Sequence, residues 1–221
     1  TIADLYVIAQ LQYKYGKTII AIGMGELGIM TRRYNKSLLT YASVTPGRAT
    51  APGQLTVHQL RTTAIFGLVG SPIQHSLSPK LHRGHGYIYQ LWETDDFKKF
   101  MFIFHWFGLP GASVTIPFKQ TVLPYCTKLD QHAKAIGAVN TLVRPNPKSK
   151  KIIGYNTDWL GVQKALGKYL PNKHVLILGQ GGAAKAVAYA AKHCRAKSVT
   201  LLSRRDMPWH VSSEQMHFDV L

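Results

Sequence analysis

The chain has 221 residues, 46% of them hydrophobic and 17% charged, a composition that is typical of globular proteins and excludes a disordered chain. Its 27 Lys and Arg residues outnumber its 10 Asp and Glu residues, which gives a formal net charge of +17. A charge this positive attracts anions, so small acids, nucleotide phosphates and nucleic acids are all candidate ligands. No dense Lys/Arg block with interleaved aromatic residues indicates a nucleic-acid groove.

The cysteines and histidines suggest neither a disulfide framework nor a metal centre. Cys126 and Cys194 lie far apart and show no CxxC spacing, and the ten histidines are scattered. We therefore predict no metal site and a reducing compartment, the cytoplasm. The stretch 100–118 lacks formal charges and is long enough to cross a membrane, but Gly-Leu-Pro-Gly at 108–111 interrupts it. We expect a helix, a turn and a buried strand there, and no membrane partner.

The first predicted segment covers residues 1–62. An apolar run at 18–22 precedes a glycine-rich turn at 23–25, and a short helical stretch lies near 57–60. This order of apolar run, turn and helix predicts one or two βα units.

The second predicted segment covers residues 63–157 and opens with an apolar strand at 64–69. Ser78 and Pro79 are typical of a helix start, with serine as the cap and proline in the first turn. Two glycines at 84 and 86 interrupt that helix, because each costs about 1 kcal/mol in a helix interior. The later elements predicted here are a helix at 95–105, a strand at 112–116, a helix at 130–136, a strand at 138–143 and a hairpin tip at 146–151.

The third predicted segment covers residues 158–221. Its pattern predicts a helix at 159–170, a buried strand at 174–178, a glycine turn, an alanine-rich helix at 183–193 and a second strand at 198–203. Strand, turn, helix and strand in this order form a βαβ unit.

The glycine turn is the first candidate binding site. Gly179, Gly181, Gly182 and Ala183 lie between a predicted strand and a predicted helix, where glycines allow backbone to approach a pyrophosphate and the helix N-terminus offers free N–H groups. The alternative is a turn that serves packing alone.

The residues after the second strand favour NADP over NAD. An acidic residue at this point would bind the ribose 2′-hydroxyl of NAD, but the chain has Arg204 and Arg205. Guanidinium groups suit a 2′-phosphate, because they bind phosphate through paired, charge-assisted hydrogen bonds. The alternative is a pair of surface arginines without a ligand.

Four short motifs form the second candidate site. They are His-Ser-Leu-Ser-Pro at 75–79, Ser-Val-Thr-Ile-Pro-Phe-Lys at 113–119, Ile-Gly-Ala-Val-Asn-Thr at 136–141 and Gly-Tyr-Asn-Thr-Asp at 154–158. Each places small polar side chains where a strand ends or a helix begins, which favours ligand contact in open α/β sheets. A carboxylate would match the hydroxyls of Ser76 and Ser78, and ring hydroxyls would match Thr115, Lys119, Asn140 and Asp158. Singly, each residue is typical of a cap or turn; together they indicate a polyhydroxy carboxylate ligand.

In this order, and followed by the glycine turn, the motifs resemble those of the shikimate dehydrogenase family over residues 64–205. The resemblance implies that Ser76 and Ser78 bind the substrate carboxylate, that Thr115, Asn140 and Asp158 hold ring hydroxyls, and that Lys119 with Asp158 forms the catalytic pair. It also implies that Gly179, Gly181, Gly182 and Ala183 bind the NADP pyrophosphate, and that Arg204 lies beside the 2′-phosphate.

The first segment resembles a different family. Met-Gly-Glu-Leu-Gly at 24–28, Thr-Arg at 31–32 and Ala-Pro-Gly-Gln at 51–54 are similar to the C-terminal end of type I dehydroquinate dehydratase, in which Arg32 and Gln54 match substrate-binding positions. That family uses a TIM barrel with a Schiff-base lysine. One or two βα units cannot close such a barrel, so we predict no dehydratase activity. A dehydratase end joined to a dehydrogenase resembles plant bifunctional enzymes and, more closely, the fungal AROM polypeptide.

The expected fold is α/β: a shikimate dehydrogenase-like substrate-binding domain and a truncated Rossmann domain, preceded by a remnant βα segment of a TIM barrel. The expected function is the NADP-dependent reduction of 3-dehydroshikimate to shikimate, or the corresponding reaction of quinate. The alternative is a non-catalytic quinate- or shikimate-sensing module of a transcriptional repressor. Only that alternative would add nucleic acid as a partner and the nucleus as a location.

Overall fold

The computed structural model describes residues 1–34, 36–146 and 148–203. The α-helices in this part of the chain are α1 (Ile2–Tyr15), α2 (Gly25–Arg33), α3 (Val57–Thr62), α4 (Ser78–Leu81), α5 (Phe97–Trp106), α6 (Gln131–Ile136), α7 (Asp158–Leu166) and α8 (Gly182–His193). The strands are β1 (Ile65–Gly70), β2 (Ile88–Glu93), β3 (Gly111–Val114), β4 (Lys128–Leu129), β5 (Thr141–Val143), β6 (Ile153–Tyr155), β7 (His174–Leu178) and β8 (Ser198–Leu202).

Six strands form one mixed sheet in the order β2-β1-β3-β5-β6-β4. β1 runs parallel to β2 and β3, whereas β5 is antiparallel to β3 and β6. The antiparallel β5–β6 pair confirms the hairpin predicted around 146–151. β7 and β8 form a separate parallel pair with α8 between them, which confirms the predicted βαβ unit. The loops after β1, β3 and β7 contain Ser76, Thr115 and Lys119, and the glycine turn, whereas Asn140 directly precedes β5 and Asp158 begins α7 after β6.

Capping residues mark the ends of α5 and α6 in the middle segment. Asp96 precedes α5 and its carboxylate accepts a hydrogen bond from the Lys99 N–H, while Asp130 caps α6 through the N–H of Ala133. α6 ends at Gly137, whose φ of 69° lies in the left-handed region that glycine adopts without strain. These caps set the start of the segment that carries Asn140.

The first segment packs into the core of the second. Ile2, Leu5 and Ala9 of α1 belong to the same buried cluster as Phe100 and Phe104 of α5. α1 and α5 are also joined by a hydrogen bond of 3.0 Å from Trp106 Nε1 to Gln12 Oε1. Residues 1–62 therefore contribute apolar surface to the hydrophobic core under the six-stranded sheet.

The prediction of a strand at 18–22 is wrong. Residues Gly16–Thr18 form a short 3₁₀ helix, and the backbone that follows is not part of a sheet. The N–H of Ala21 donates to Ser37 Oγ at 3.0 Å, and its carbonyl accepts a bond of 3.4 Å from Gln12 Nε2. Side chains thus satisfy the backbone groups that a neighbouring strand would otherwise have paired.

The region after β1 differs from its prediction in two respects. Ser78 is the first residue of α4 rather than its cap, and the hydroxyl that accepts the Ser78 N–H belongs to Ser76, at 3.2 Å. α4 is one turn long, and Gly84 and Gly86 follow it with φ angles of 86° and 75°, so the predicted interruption is confirmed. The sequence did not reveal β2, which pairs with β1 along its whole length.

The helix predicted at 159–170 ends earlier, at Leu166, where Gly167 follows and has a low helix propensity. Residues 100–118 form the helix, turn and strand that were expected. Within the described residues, no helix is both long and apolar enough to span a membrane. The same residues contain no group of three or more His, Cys, Asp or Glu side chains that could hold a metal ion.

Candidate active site

The structure brings Lys119 and Asp158 into direct contact. Lys119 Nζ lies 2.7 Å from Asp158 Oδ2, and the two side chains are only 14% and 29% exposed. Lys119 lies in the turn after β3, while Asp158 is the first residue of α7, where the helix dipole favours a negative charge. The result is a paired ammonium and carboxylate, mostly shielded from solvent.

Asn140 holds the second oxygen of that carboxylate. Its Nδ2 donates to Asp158 Oδ1 and to Thr157 Oγ1, both at 2.8 Å. Its Oδ1 accepts from the Thr157 N–H at 3.0 Å and from the Thr141 hydroxyl at 2.9 Å. These four bonds fix the orientation of the amide, and the Asp158 carboxylate is consequently held from both sides.

Asn156, which the sequence motifs did not single out, holds the backbone next to the Asp158 carboxylate. It is 3% exposed; its Oδ1 accepts the Asp158 N–H at 3.0 Å, and its Nδ2 donates to the Ala138 carbonyl at 3.0 Å. The Val139 N–H in turn donates to the Lys119 carbonyl at 2.8 Å. The backbones that carry Lys119 and Asp158 are therefore tied together as well as their side chains.

Thr115 lies beside the end of β1. Its N–H donates to the Val69 carbonyl at 3.0 Å. A Cβ added at Gly70 would lie 2.4 Å from Thr115 Cγ2 and 2.7 Å from the Ile116 carbonyl oxygen, so only glycine fits there. The close approach of β1 fixes the backbone from which the Thr115 hydroxyl projects.

Ser76 and Ser78 belong to a second group of hydroxyls. The Ser76 hydroxyl donates to Ser78 Oγ at 3.1 Å, and the Tyr89 hydroxyl donates to Ser113 Oγ at 2.8 Å. Burial raises the pKa of the Tyr89 phenol, and the hydroxyls of Ser113 and Ser78 lie beside it. Tyr89 was missed because the strand that carries it was not recognised; the available signal was a run rich in aromatic and β-branched residues at 87–92, directly after Gly86.

An apolar cavity of about 260 Å³ adjoins these groups on the open face of the sheet. Phe66, Tyr87 and Tyr89 line it, together with Ser113 and Thr141. Thr141 links the cavity to the Lys119–Asp158 pair, because it lines the cavity and its hydroxyl donates to Asn140 Oδ1. Neither Lys119 nor Asp158 lines the cavity. The Lys119–Asp158 pair therefore lies at the edge of the cavity rather than inside it.

The glycine turn lies directly against Lys119. Gly179 has a φ of 133°, and a Cβ added at Gly182 would lie 2.8 Å from Lys119 Cβ and 3.2 Å from Ala138 Cβ. By contrast, a Cβ at Gly181 would meet no atom within 4 Å, so the side of the turn at the start of α8 is open. Open backbone at a helix N-terminus suits a phosphate.

A polar contact also joins the first turn of α8 to the segment after Lys119. Lys185 Nζ donates to Gln120 Oε1 at 2.8 Å. Ala183 is exposed in the same turn. Arg204 and Arg205, predicted beside the 2′-phosphate, lie outside the described residues.

The first segment contains its own pocket, of about 300 Å³, lined by Arg32 and Gln54 among others. Arg32 is 3% exposed; its Nη2 lies 3.4 Å from Met24 Sδ, and its Nε has no hydrogen-bond partner among the described residues. Gln54 Oε1 accepts the Thr50 N–H at 2.7 Å. The two residues singled out by the second resemblance thus share one pocket.

Comparisons with known proteins match the two parts of the chain to two families. The profile described as shikimate dehydrogenase substrate binding domain matches residues 68–142, and the profile described as type I 3-dehydroquinase matches residues 1–66. The Pentafunctional AROM polypeptide of Eremothecium gossypii is 39% identical over 210 residues, which cover 85% of this chain and 13% of the AROM polypeptide.

Solved structures show the same relationship. The dehydroquinate dehydratase and shikimate dehydrogenase structure from S. pombe AroM is 29% identical, with a TM-score of 0.52, and the match covers 92% of this chain and 43% of that one. Shikimate 5-dehydrogenase from Thermus thermophilus, in complex with NADP(H) and shikimate, is 30% identical with a TM-score of 0.54, covering 64% and 56%. This chain thus spans only part of each relative. Residues 68–142 therefore match the substrate-binding domain of the shikimate dehydrogenase family, and residues 1–66 match part of the type I 3-dehydroquinase family.

Proposed function

We propose that the chain is a shikimate dehydrogenase unit that reduces 3-dehydroshikimate to shikimate with NADPH. The observation that carries this proposal is the 2.7 Å contact between Lys119 and Asp158 beside the glycine turn. A dehydrogenase needs a proton donor next to the carbon that receives hydride, and this arrangement provides one.

In the proposed reaction, Gly181 and the N-terminus of α8 would hold NADPH, which would supply a hydride to the ring ketone. The carbonyl oxygen gains negative charge and takes a proton from the Lys119 ammonium, which completes the hydroxyl of shikimate. Asp158 holds the ammonium in place and, with Asn140, binds neighbouring ring hydroxyls. The protein thus contributes alignment and a proton, while the cofactor contributes the hydride.

The described residues fit both ligands. The hydroxyls of Ser76 and Ser78, extended by Tyr89, can donate hydrogen bonds to the substrate carboxylate. Gly181 leaves open space at the N-terminus of α8, where the backbone N–H groups and the helix dipole favour a pyrophosphate. The T. thermophilus relative, crystallised with NADP(H) and shikimate, supports this pair of ligands.

We further infer that the three segments of the chain have different roles. Residues 63–157 form the substrate-binding domain, residues 158–221 belong to the NADP-binding domain, and residues 1–62 are the dehydratase-family segment. The separate sheets of the middle and last segments support this division. The core shared by α1 and α5 gives the first segment a structural role in the substrate-binding domain.

The direct test is NADPH oxidation with 3-dehydroshikimate, measured beside NADP reduction with quinate. We expect turnover with 3-dehydroshikimate. The ligand-sensing alternative predicts that quinate or shikimate binds in a calorimeter and that no turnover follows. The retained Lys119–Asp158 pair favours catalysis, because a sensor needs no proton donor. A folded sample that binds shikimate without turnover would reject the dehydrogenase proposal in favour of the sensor.

A further inference from the structure

An aromatic cluster joins three helices beside the candidate active site. It consists of His132 on α6, Trp159 on α7, and Tyr189 and His193 on α8. The His132 ring stacks on Trp159 with centroids 4.4 Å apart, and Tyr189 and His193 approach the same indole edge-on at 5.5 and 5.1 Å. Such aromatic pairs stabilise a packing arrangement beyond the area that they bury.

The cluster lies where the substrate-binding part meets the part that carries the glycine turn. Trp159 is buried with Ile136 and Ala138 on one side and Ala186 and Ala190 on the other. No hydrogen-bond partner is found for the indole Nε1 among the described residues, so stacking and packing hold this ring. Because Trp159 follows Asp158 directly, a fixed indole also fixes the start of α7.

One polar contact crosses this boundary within the cluster. His132 Nδ1 and the Tyr189 hydroxyl are 2.9 Å apart, a hydrogen bond between α6 and α8. The first turn of α8 holds Gly182 against Lys119, as described above. A rotation of α8 away from α6 would therefore break the His132–Tyr189 bond and move the glycine turn away from Lys119.

We propose that His132 and Tyr189 are positioning residues that hold the glycine turn at the distance from Lys119 and Asp158 that hydride transfer requires. We name the pair the latch. This inference rests on the proposed function for its kinetic consequence, but its structural consequence can be measured without catalysis. Neither residue needs to touch substrate or cofactor.

The structural test is the rate at which acetic anhydride acetylates Lys119, relative to the exposed Lys128 in the same chain, measured by mass spectrometry. Tyr189→Phe removes only the hydroxyl, and His132→Phe keeps a ring to stack on Trp159. Each should raise the relative rate about fivefold, the factor that one neutral hydrogen bond typically contributes. The double variant should add nothing further, because either change alone breaks the same bond.

Tyr169→Phe is the matched control, since Tyr169 is a half-exposed tyrosine outside the cluster, and it should leave the rate unchanged. An unchanged Lys119 rate in both latch variants would overturn the proposal. So would additive effects in the double variant, because they would mean that the two side chains act independently.

The kinetic test uses the same variants. We expect kcat/KM for NADPH to fall about fivefold in Tyr189→Phe, while the Kd of shikimate in the absence of cofactor stays unchanged. A merely structural role would weaken both together and would overturn the proposal. If the parent chain binds shikimate without turnover, the proposed function fails, and the acetylation result alone decides whether the latch exists.

Discussion

The Lys119 site and the Arg32 pocket both hold a basic side chain that is largely withdrawn from water, yet they differ in what surrounds it. Lys119 lies 2.7 Å from a carboxylate that Asn140 also holds. Arg32 is 3% exposed, and its Nε lacks a partner among the described residues. The first arrangement can hold and transfer a proton, whereas the second can only attract an anion.

The distribution of acidic residues explains this difference. No acidic residue occurs between Glu26 and Glu93, so the segment that lines the Arg32 pocket has almost no carboxylate to offer. Lys119 finds its partner 39 positions further along the chain, at the start of α7. No lysine is among the described residues that line the Arg32 pocket, so a Schiff base has no nitrogen there. Of these two sites, the Lys119 site has the paired ammonium and carboxylate that proton transfer needs.

The largest expected effect is from Lys119→Met, which removes the proton donor and keeps an unbranched side chain that is one atom shorter. We expect kcat to fall about 1,000-fold, within the range that general acid catalysis contributes, while shikimate still binds. Steady-state NADPH oxidation and calorimetry measure the two quantities. Lys128→Met, at an exposed lysine, is the control and should keep full activity. A kcat that is similar in Lys119→Met and Lys128→Met would mean that Lys119 is not the proton donor.

Asp158→Asn should have the next largest effect. The amide keeps nearly the same shape but removes the negative charge that holds the Lys119 ammonium and accepts the Asn140 amide. We expect kcat to fall about 100-fold, less than for loss of the donor itself. Asp95→Asn, at an exposed aspartate, supplies the comparison variant. Wild-type kcat in Asp158→Asn would mean that Lys119 needs no partner.

Gly182→Ala should have an intermediate effect, because its new Cβ would lie 2.8 Å from Lys119 Cβ. The start of α8 must shift away from Lys119, and we expect kcat/KM for NADPH to fall about tenfold. Gly161→Ala on α7 is the control, since a Cβ there meets no atom within 4 Å. That change should leave kinetics unaltered and stabilise the chain slightly. An equal kcat/KM for NADPH in Gly182→Ala and Gly161→Ala would show that the short distance between Gly182 and Lys119 does not affect catalysis.

The smallest expected effect is from Arg32→Met. Turnover should be unchanged, and the free energy of unfolding should rise by about 1 kcal/mol, because methionine removes a poorly paired buried charge. Arg144 is the matched control: it is 6% exposed, and its guanidinium donates to the carbonyls of Leu109 and Phe104 at 2.9 and 3.2 Å. Arg144→Met should lower stability by about 3 kcal/mol. Urea unfolding measures both changes. An equal loss of unfolding free energy in Arg32→Met and Arg144→Met would contradict the lack of a partner at Arg32 Nε.

The Lys119 site could be predicted from sequence because its signals are short and local. Each motif places a polar side chain at the end of one element, and β7, the glycine turn and α8 follow one another without interruption. The helices predicted at 95–105 and 130–136 begin within one or two positions of the observed starts of α5 and α6. The resemblance to a known family then supplied the order in which the motifs should be combined.

What the sequence did not reveal depends on contacts between distant residues. β2 follows a stretch of glycines and histidines and lacks a polar/apolar alternation, so Tyr89 was missed with it. The apolar run at 18–22 was misassigned because Ser37 and Gln12 satisfy its backbone groups from elsewhere in the chain. No local pattern reports the approach of Gly182 to Lys119 or the bond from His132 to Tyr189, which span about 60 positions.

A crystal structure of the chain with shikimate and NADP would test the central claim most directly, because it lets the two basic sites compete for one carboxylate ligand. We expect a ring hydroxyl about 3 Å from Lys119 Nζ and Asp158, with the carboxylate at Ser76 and Ser78. Shikimate bound instead beside Arg32, with the Lys119–Asp158 pair left without ligand, would contradict the account.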